Sequence, residues 1–165
     1  MEGCPDKKAI AYHEAAHAFM ACHLRLEITE TTNIPEPPKH CGITRYSEEC
    51  KRMTSSQTPG YEIKKLEKMI VCYAGPFAES RFAEEENPGG AEGDYCEAST
   101  MALVMHGYDE SKAIECTNRM RHKAERLVTA YWNSIAYLAE KLYEKETMSY
   151  EEVMATMRVN RPSDI

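Results

Sequence analysis

The chain has 165 residues, enough for one domain with a sizeable hydrophobic core and too few for two ordinary domains. Its 20 basic and 27 acidic residues give a formal net charge of -7, and no lysine and arginine cluster is present, which argues against a nucleic acid partner. No apolar run approaches the roughly 18 residues that span a bilayer, and the N-terminus lacks the apolar core of a secretory signal. We therefore expect a soluble, cytoplasmic protein without a membrane segment.

A first helix is predicted from Asp6 to about His23, because the Asp6 carboxylate can accept the free amides of the first turn. It contains the run AYHEAAHAF, in which His13, Glu14 and His17 form a HExxH motif. Residues four apart lie on one helix face, so the two imidazoles can bind one metal ion. Glu14 is displaced by about 100° around the helix, where a general base for a zinc-bound water is required. The motif predicts a zinc site on the first long helix; histidines that only line a core are the alternative.

Two short strands are predicted next, at residues 24–34 and 42–46, where apolar and polar residues alternate and β-branched residues are frequent. The cluster Pro35, Pro37 and Pro38 between them predicts an exposed loop. All later elements are predicted to be helical. The expected fold is therefore mainly α with a small β-sheet.

The middle of the chain predicts one long and one short helix. Thr58 followed by Pro59 is a typical helix start, and the apolar spacing predicts a helix that ends near Gly75. A shorter helical stretch is expected at residues 76–83. The charged, glycine-rich residues 84–90 are predicted to form a loop.

Three further helices are predicted in the C-terminal half. The first opens at Asp94 and runs to about residue 105. The second opens at Asp109 or Ser111 and carries an apolar stripe to beyond residue 140. Ser149 and Glu152 have the spacing of a capping box, which predicts a short last helix.

The seven cysteines are odd in number, scattered and never spaced as CxxC. This pattern predicts reduced thiols in a cytosol rather than a metal cluster. They are Cys4, Cys22, Cys41, Cys50, Cys72, Cys96 and Cys116.

A catalytic zinc ion generally has three protein ligands and one open position for water, so the HExxH motif needs a third donor. The candidate carboxylates are those of Glu79, Asp94 and Glu97. Residue chemistry alone does not rank them. The single histidines have less support than the carboxylates; they are His23, His40, His106 and His122.

Several segments together resemble one protein family. AYHEAAHA is similar to the zinc-binding helix of the FtsH-type ATP-dependent zinc metalloproteases, and GAEGDYCEAS, at residues 90–99, is similar to that family's GAxxDxxxA segment. GITRY at residues 42–46, AGPFAES at residues 74–80 and AYLAEKLYEKETMSYEEV near the C-terminus extend the likeness to nearly the whole chain. The resemblance implies that Asp94 is the third zinc ligand. Glu79 is the rival ligand, or a partner that orients a zinc-bound histidine.

The sequence also departs from the family pattern. Ala16 stands where the family usually has glycine, a change that favours helix and adds one methyl group. Pro76 and Phe77 replace the usual basic and small residues, so that helix is expected to begin or pack differently. The chain has no GxxxxGK[ST] phosphate loop. It resembles the peptidase domain standing alone, without the ATPase and membrane segments, over residues 1–165.

We therefore expect a zinc-dependent endopeptidase with one Zn²⁺ per chain and Glu14 as its general base. It is expected to cut unfolded or extended polypeptides without ATP, because folded substrates keep their backbone buried and paired. The substrate is expected to lie along a strand, through main-chain hydrogen bonds, at Gly42, Ile43, Thr44, Arg45 and Tyr46. The alternatives are a non-catalytic metal-containing domain that binds a partner protein and an all-helical scaffold without metal. A separate unfoldase and a homo-oligomer both stay open.

Overall fold

The computed structural model describes residues 6–36, 39–55, 60–84 and 88–159. These residues form a mainly helical fold with one small antiparallel sheet, as the sequence predicts. No helix among them has both the length and the apolar character of a membrane span. In chain order the elements are α1 (Lys7–His23), β1 (Ile28–Thr32), β2 (Ile43–Tyr46), α2 (Glu48–Ser55), α3 (Glu62–Ala83), α4 (Pro88–Met105), α5 (Glu110–Ala130), α6 (Trp132–Lys145), β3 (Thr147–Ser149) and α7 (Tyr150–Val159).

Helix α1 is the central element of the core. The Asp6 carboxylate accepts the amides of Lys8 and Ala9, which confirms the predicted start of the helix. α1 packs mainly against α3 and α6, and every residue from Ala9 to Ala21 is buried. Alanine recurs along this helix, and such small side chains let neighbouring helices approach closely. The polar HExxH motif therefore lies inside the molecule.

The sheet has the strand order β2-β1-β3, with both pairs antiparallel. In β2, Thr44 pairs with Thr31 of β1. The strands are shorter than predicted because residues 24 and 25 end helix α1, where Arg25 has a positive φ of 57°. The three-residue strand β3 is too short for a periodic pattern in the sequence. Of the predicted proline loop, residues 37 and 38 lie outside the described part of the chain.

Helix α3 is one continuous helix, so the predicted break near Gly75 is wrong. Pro76 lies inside the helix, where it removes one backbone donor. The residues around it, from Met69 to Pro76, are all buried, and this packing outweighs the local cost. Thr58 and Pro59 lie outside the described residues, and α3 begins at Glu62, later than predicted.

Helix α4 begins at Pro88 and not at Asp94, so the predicted loop of residues 84–90 is too long. Proline suits the first position of a helix because its missing amide would have no partner there. Asp94 therefore lies within the helix and does not cap its N-terminus. Its carboxylate is therefore available for contacts outside the helix.

The predicted long C-terminal helix is two helices, α5 and α6, which meet at Tyr131. The apolar stripe continues across this junction, so periodicity alone gave no sign of it. Asp109 caps α5, as predicted, by accepting the amide of Lys112. Ser149 and Glu152 form the predicted capping box, with reciprocal contacts of 2.9 and 3.3 Å. Helix α2 was not predicted.

The cysteines are not all reduced. Cys22, Cys50, Cys72, Cys96 and Cys116 are free. Cys41 is disulfide-bonded, so the prediction of reduced thiols is wrong for this residue. A scattered spacing could not have revealed the bond, because disulfide pairing depends on distance in the fold. Cys4 lies outside the described residues.

Candidate metal centre

The HExxH residues are buried in the middle of α1. His13, Glu14 and His17 are 8%, 5% and 7% exposed, respectively. Two histidines one helical turn apart direct their Nε2 atoms to the same point, with the two atoms 2.9 Å apart. The helix alone therefore supplies two convergent nitrogen donors.

Helix α4 adds a carboxylate to this pair. Asp94 Oδ2 lies 3.1 Å from His13 Nε2, and Asp94 Oδ1 lies 3.4 Å from His17 Nε2. One donor atom from each of the three residues lies within 4.8 Å of the other two. This is the set that the resemblance implies, brought together from two helices.

The outer nitrogens of both imidazoles have fixed partners. His17 Nδ1 lies 2.8 Å from the carbonyl oxygen of Val71, and a carbonyl only accepts, so Nδ1 carries the proton. His13 Nδ1 lies 2.7 Å from the Glu79 carboxylate, which also accepts. Each neutral ring then presents a lone pair at Nε2. Helix α3 provides both of these outer partners.

Three electron-pair donors therefore face one another in a buried space. Two imidazole lone pairs and a carboxylate at these distances repel unless a cation lies between them. A nitrogen, nitrogen, oxygen donor set suits zinc, which accepts imidazole and carboxylate ligands in tetrahedral geometry. The residues thus fit a divalent metal ion, and Glu79 occupies the position of an orienting partner instead of a ligand.

The pKa values of His13 and Asp94 also indicate that positive charge is stabilised between these groups. Burial alone lowers the pKa of His13, but hydrogen bonds to Asp94 and Glu79 raise it to about 10. Burial alone raises the pKa of Asp94, but the neighbouring His17 and His13 hold it below its usual value. When no metal is present, a proton on His13 therefore balances the Asp94 carboxylate.

Gly75 is the point at which α3 packs on the two imidazoles. A Cβ atom at this position would lie 2.3 Å from His17 Nε2 and 2.8 Å from His13 Cδ2. Both distances are far shorter than a van der Waals contact, so any side chain here displaces the rings. Glu79 follows Gly75 by one helical turn, which explains how one helix both packs on His13 and orients it.

Glu14 lies beside the donor set and is held by strand β2. Thr44 Oγ1 lies 2.9 Å from Glu14 Oε2 and 2.9 Å from Thr31 Oγ1, so Thr31 can donate to Thr44 while Thr44 donates to the carboxylate. Burial raises the pKa of Glu14, and the nearby imidazoles and the Thr44 hydroxyl partly offset this effect. Gly42 packs against the same side chain, since a Cβ there would lie 2.8 Å from Glu14 Cγ.

An open cleft of about 890 Å³ gives access to these groups. The donor residues and Glu14 line it together with all five residues predicted to bind substrate, which are Gly42 and the four residues of β2. In the described part of the chain, β2 pairs with β1 on one edge and with no strand on the other. An extended peptide could pair with that edge.

The remaining candidate ligands do not belong to this donor set. Glu97 contacts Cys72 and Lys68 at the cleft wall. His23 packs on Phe19 and Tyr131. Among the described residues, only His13, His17 and Asp94 form a group of this kind. His40, His106 and His122 lie outside it.

Sequence reasoning missed three contributors: the Val71 carbonyl, Gly75 and the Thr44 hydroxyl. The first two belong to the middle of α3, and no spacing in the sequence relates them to α1. Thr44 was expected to contact substrate, not Glu14.

No model of a known protein family matches the sequence. The geometry of these residues is therefore the main support for a function.

Proposed function

We propose that this protein is a zinc-dependent endopeptidase in which His13, His17 and Asp94 bind the metal and Glu14 is the general base. One observation carries the proposal: a buried carboxylate lies beside a three-donor set that opens onto a cleft. Structural zinc sites generally have four protein ligands, whereas catalytic sites keep one position for water. A purely structural site has no need of Glu14.

Zinc, when bound, supplies a Lewis acid that lowers the pKa of water toward about 7 and polarises a carbonyl group. The residues of the chain supply the rest. The Val71 carbonyl and Glu79 hold the two imidazoles in the tautomer that presents Nε2. The Thr44 hydroxyl occupies Glu14 Oε2, which leaves Oε1 to take the proton of the attacking water and return it to the leaving amine.

The free edge of β2 is the proposed substrate-binding surface. Main-chain pairing along residues 43–46 selects an extended backbone and reads little of its sequence. An unfolded polypeptide presents such a backbone, whereas a folded one keeps it buried. This substrate class is also the one implied by the resemblance to the FtsH-type peptidases. The 165-residue chain contains no phosphate loop, so hydrolysis by this chain alone is proposed to require no ATP.

The proposal is tested with an unfolded, fluorescently labelled protein incubated with the zinc-loaded chain and with its Glu14→Gln variant. We expect the wild type to cut the substrate and the variant to bind zinc without cutting, because an amide cannot act as the base. Glu144→Gln is the matched control, since it makes the same change on an exposed carboxylate of α6 and should leave cleavage intact.

Zinc content measured for each protein separates loss of the base from loss of the metal. If wild type and Glu14→Gln both hold zinc and neither cuts, the protein is not a peptidase on its own. A domain that uses its metal to bind a partner protein would then be the better description.

A further inference from the structure

Helix α3 turns one face toward the cleft along most of its length. Glu79, Gly75, Cys72 and Lys68 follow one another at intervals of four, three and four residues, so they share this face. Glu79 and Gly75 contact the imidazoles of the metal centre. Lys68 lies seven residues before Gly75, which corresponds to about 10 Å along the helix axis. The face therefore ends in a lysine at some distance from the metal centre.

Lys68 is a buried cation in the cleft wall. The residue is only 8% exposed and lines the cleft. Its ammonium group lies 3.5 Å from the centre of the Tyr46 ring, a cation–π contact. The nearest carboxylate oxygen among the described residues is Glu97 Oε1, also at 3.5 Å, which is longer than the roughly 2.8 Å of a charge-assisted hydrogen bond.

Other cations of the cleft differ from Lys68. Lys39, Arg45 and Lys51 each contact a carboxylate oxygen, at 2.5, 3.0 and 2.6 Å, respectively. Their side chains are 41% to 69% exposed, far more than that of Lys68, and already hold close carboxylate partners, so they have little need of another anion. A buried ammonium whose carboxylate partner stays 3.5 Å away gains more from a further anion. Lys68 is thus the cation of this set that is best placed to bind an anionic group.

Strand β2 links Lys68 to the proposed catalytic base. Thr44 contacts Glu14, and Tyr46 contacts Lys68. Thr44 and Tyr46 are two positions apart, so their side chains lie on the same face of the strand, about 6.6 Å apart. A substrate paired with β2 would lie alongside Thr44 and Tyr46. Its residue near Lys68 is then about two positions from the bond beside Glu14.

We propose that Lys68 binds a carboxylate of the substrate, so that the cleft prefers a peptide with an acidic group about two residues from the bond to be cut. The proposal names the substrate class of the endopeptidase proposed above and rests on that function. Glu97, whose side chain is half exposed, gives way to the substrate carboxylate and turns toward solvent. The carboxylate is either an acidic side chain or the C-terminus of a peptide.

The test measures binding, so it does not depend on cleavage. Fluorescein-labelled peptides of ten residues, amidated at the C-terminus, carry one Glu at each central position in turn, and each has a partner with Gln at that position. A second pair lacks Glu and differs only in a free or amidated C-terminus. Their Kd values are measured by fluorescence anisotropy with the zinc-loaded Glu14→Gln variant, which is proposed not to cut them.

We expect one or two Glu positions, or the free C-terminus, to bind about tenfold more tightly than the neutral partner. The ratio should fall to about one when Lys68→Met is added. Lys64→Met is the matched control: it removes a positive charge one turn earlier on α3, from a lysine that contacts Glu67 and does not line the cleft, and it should keep the ratio. Lys68→Glu should favour peptides that carry Lys instead of Glu.

Equal binding of every acidic and neutral pair, or a preference that survives in Lys68→Met, overturns the proposal. Circular dichroism and thermal melting establish that each variant is folded, and Lys68→Gln replaces Lys68→Met if the latter is not. The pair that shows the preference identifies the side chain or the C-terminus as the source of the carboxylate. A protein that binds acidic peptides through Lys68 but never cuts them would refute the endopeptidase and keep the anion site.

Discussion

At the scale of single residues, the two histidines of the motif are equivalent in sequence but differ in their surroundings. His13 donates to a carboxylate, whereas His17 donates to a backbone carbonyl. The carboxylate makes the His13 ring a stronger donor to a metal, and the carbonyl mainly fixes the orientation of His17. The roles of Glu79 and Asp94 can therefore be separated by experiment.

Asp94→Ala is expected to abolish stoichiometric zinc binding, because it removes one of three proposed ligands. Glu79→Ala should keep one zinc per chain but weaken its affinity by about 10- to 100-fold, as loss of an orienting partner usually does. Zinc affinity is measured by competition with a chromogenic chelator. The opposite ranking, with zinc retained by Asp94→Ala and lost by Glu79→Ala, would make Glu79 the ligand.

Gly75→Ala should also prevent zinc binding, although the glycine has no ligand atom. Its new methyl group would lie 2.3 Å from His17 Nε2, so the imidazoles must move away from their shared point. Gly93→Ala is a matched control on α4, next to Asp94, because a Cβ there has nothing within 4 Å. Normal zinc content in Gly75→Ala would mean that the rings can move without losing the metal.

At the scale of secondary-structure elements, the site depends on three helices and one strand. α1 carries the motif, α4 brings Asp94, and α3 supplies the outer partners of both imidazoles. β2 adds the hydroxyl that contacts Glu14 and the edge proposed for substrate. The proposed chemistry and the proposed substrate binding thus both involve Thr44.

Thr44→Val tests this contact between β2 and α1. Valine has nearly the same shape and favours a strand, but Glu14 Oε2 loses its donor. We expect kcat for peptide hydrolysis to fall about tenfold while zinc content is unchanged. Thr29→Val makes the same change on β1, at a hydroxyl that contacts the Arg45 carbonyl at 3.4 Å and not Glu14, and should have little effect. A change in KM alone would assign Thr44 to substrate binding only.

The elements also show what a sequence can and cannot predict. α1 was predicted with the correct ends because its cap, its apolar residues and its motif are local features. Pro76 and Tyr131 misled the prediction in opposite directions: the proline lies within a helix, and the helix break has no proline or glycine. Burial of the residues around Pro76 decides the first case, and burial depends on contacts that are distant in the sequence. No local signal marks the break at Tyr131.

For the candidate site, too, contacts within one helix can be predicted from the sequence and contacts between elements cannot. Helical spacing was sufficient to pair His13 with His17, since both lie on one turn of one helix. Residue type makes Asp94 one of three candidate carboxylates, and the resemblance ranks it first. Its position beside the imidazoles follows from the packing of α4 on α3 and α5. The clearance at Gly75 depends on how closely α3 approaches α1, which no spacing in the sequence encodes. Contacts between elements were therefore the part that sequence alone could not supply.

At the scale of the whole molecule, the candidate metal centre connects α4 to α1, two helices that pack little against each other in the core. α1 lies in the core, with close packing against α3 and α6. α4 packs mainly on α3 and α5 and reaches α1 through Asp94 at the site. A bound metal would therefore hold α4 against the central helix α1. Removal of the metal should therefore destabilise α4 more than the other helices.

Chelation of the metal is therefore expected to lower thermal stability and to loosen α4 selectively. A ligand present at 1,000 times its Kd stabilises the folded state by about 4 kcal/mol, so its loss should lower Tm by several degrees. Hydrogen exchange followed by mass spectrometry should show faster exchange in residues 91–105, and little change in α6, whose apolar face is buried without help from the site. In Asp94→Ala the chelator should have no effect on either measurement. If the wild-type protein also melts and exchanges identically with and without metal, the ion does not join α4 to α1, and α4 must be held by its contacts with α3 and α5 alone.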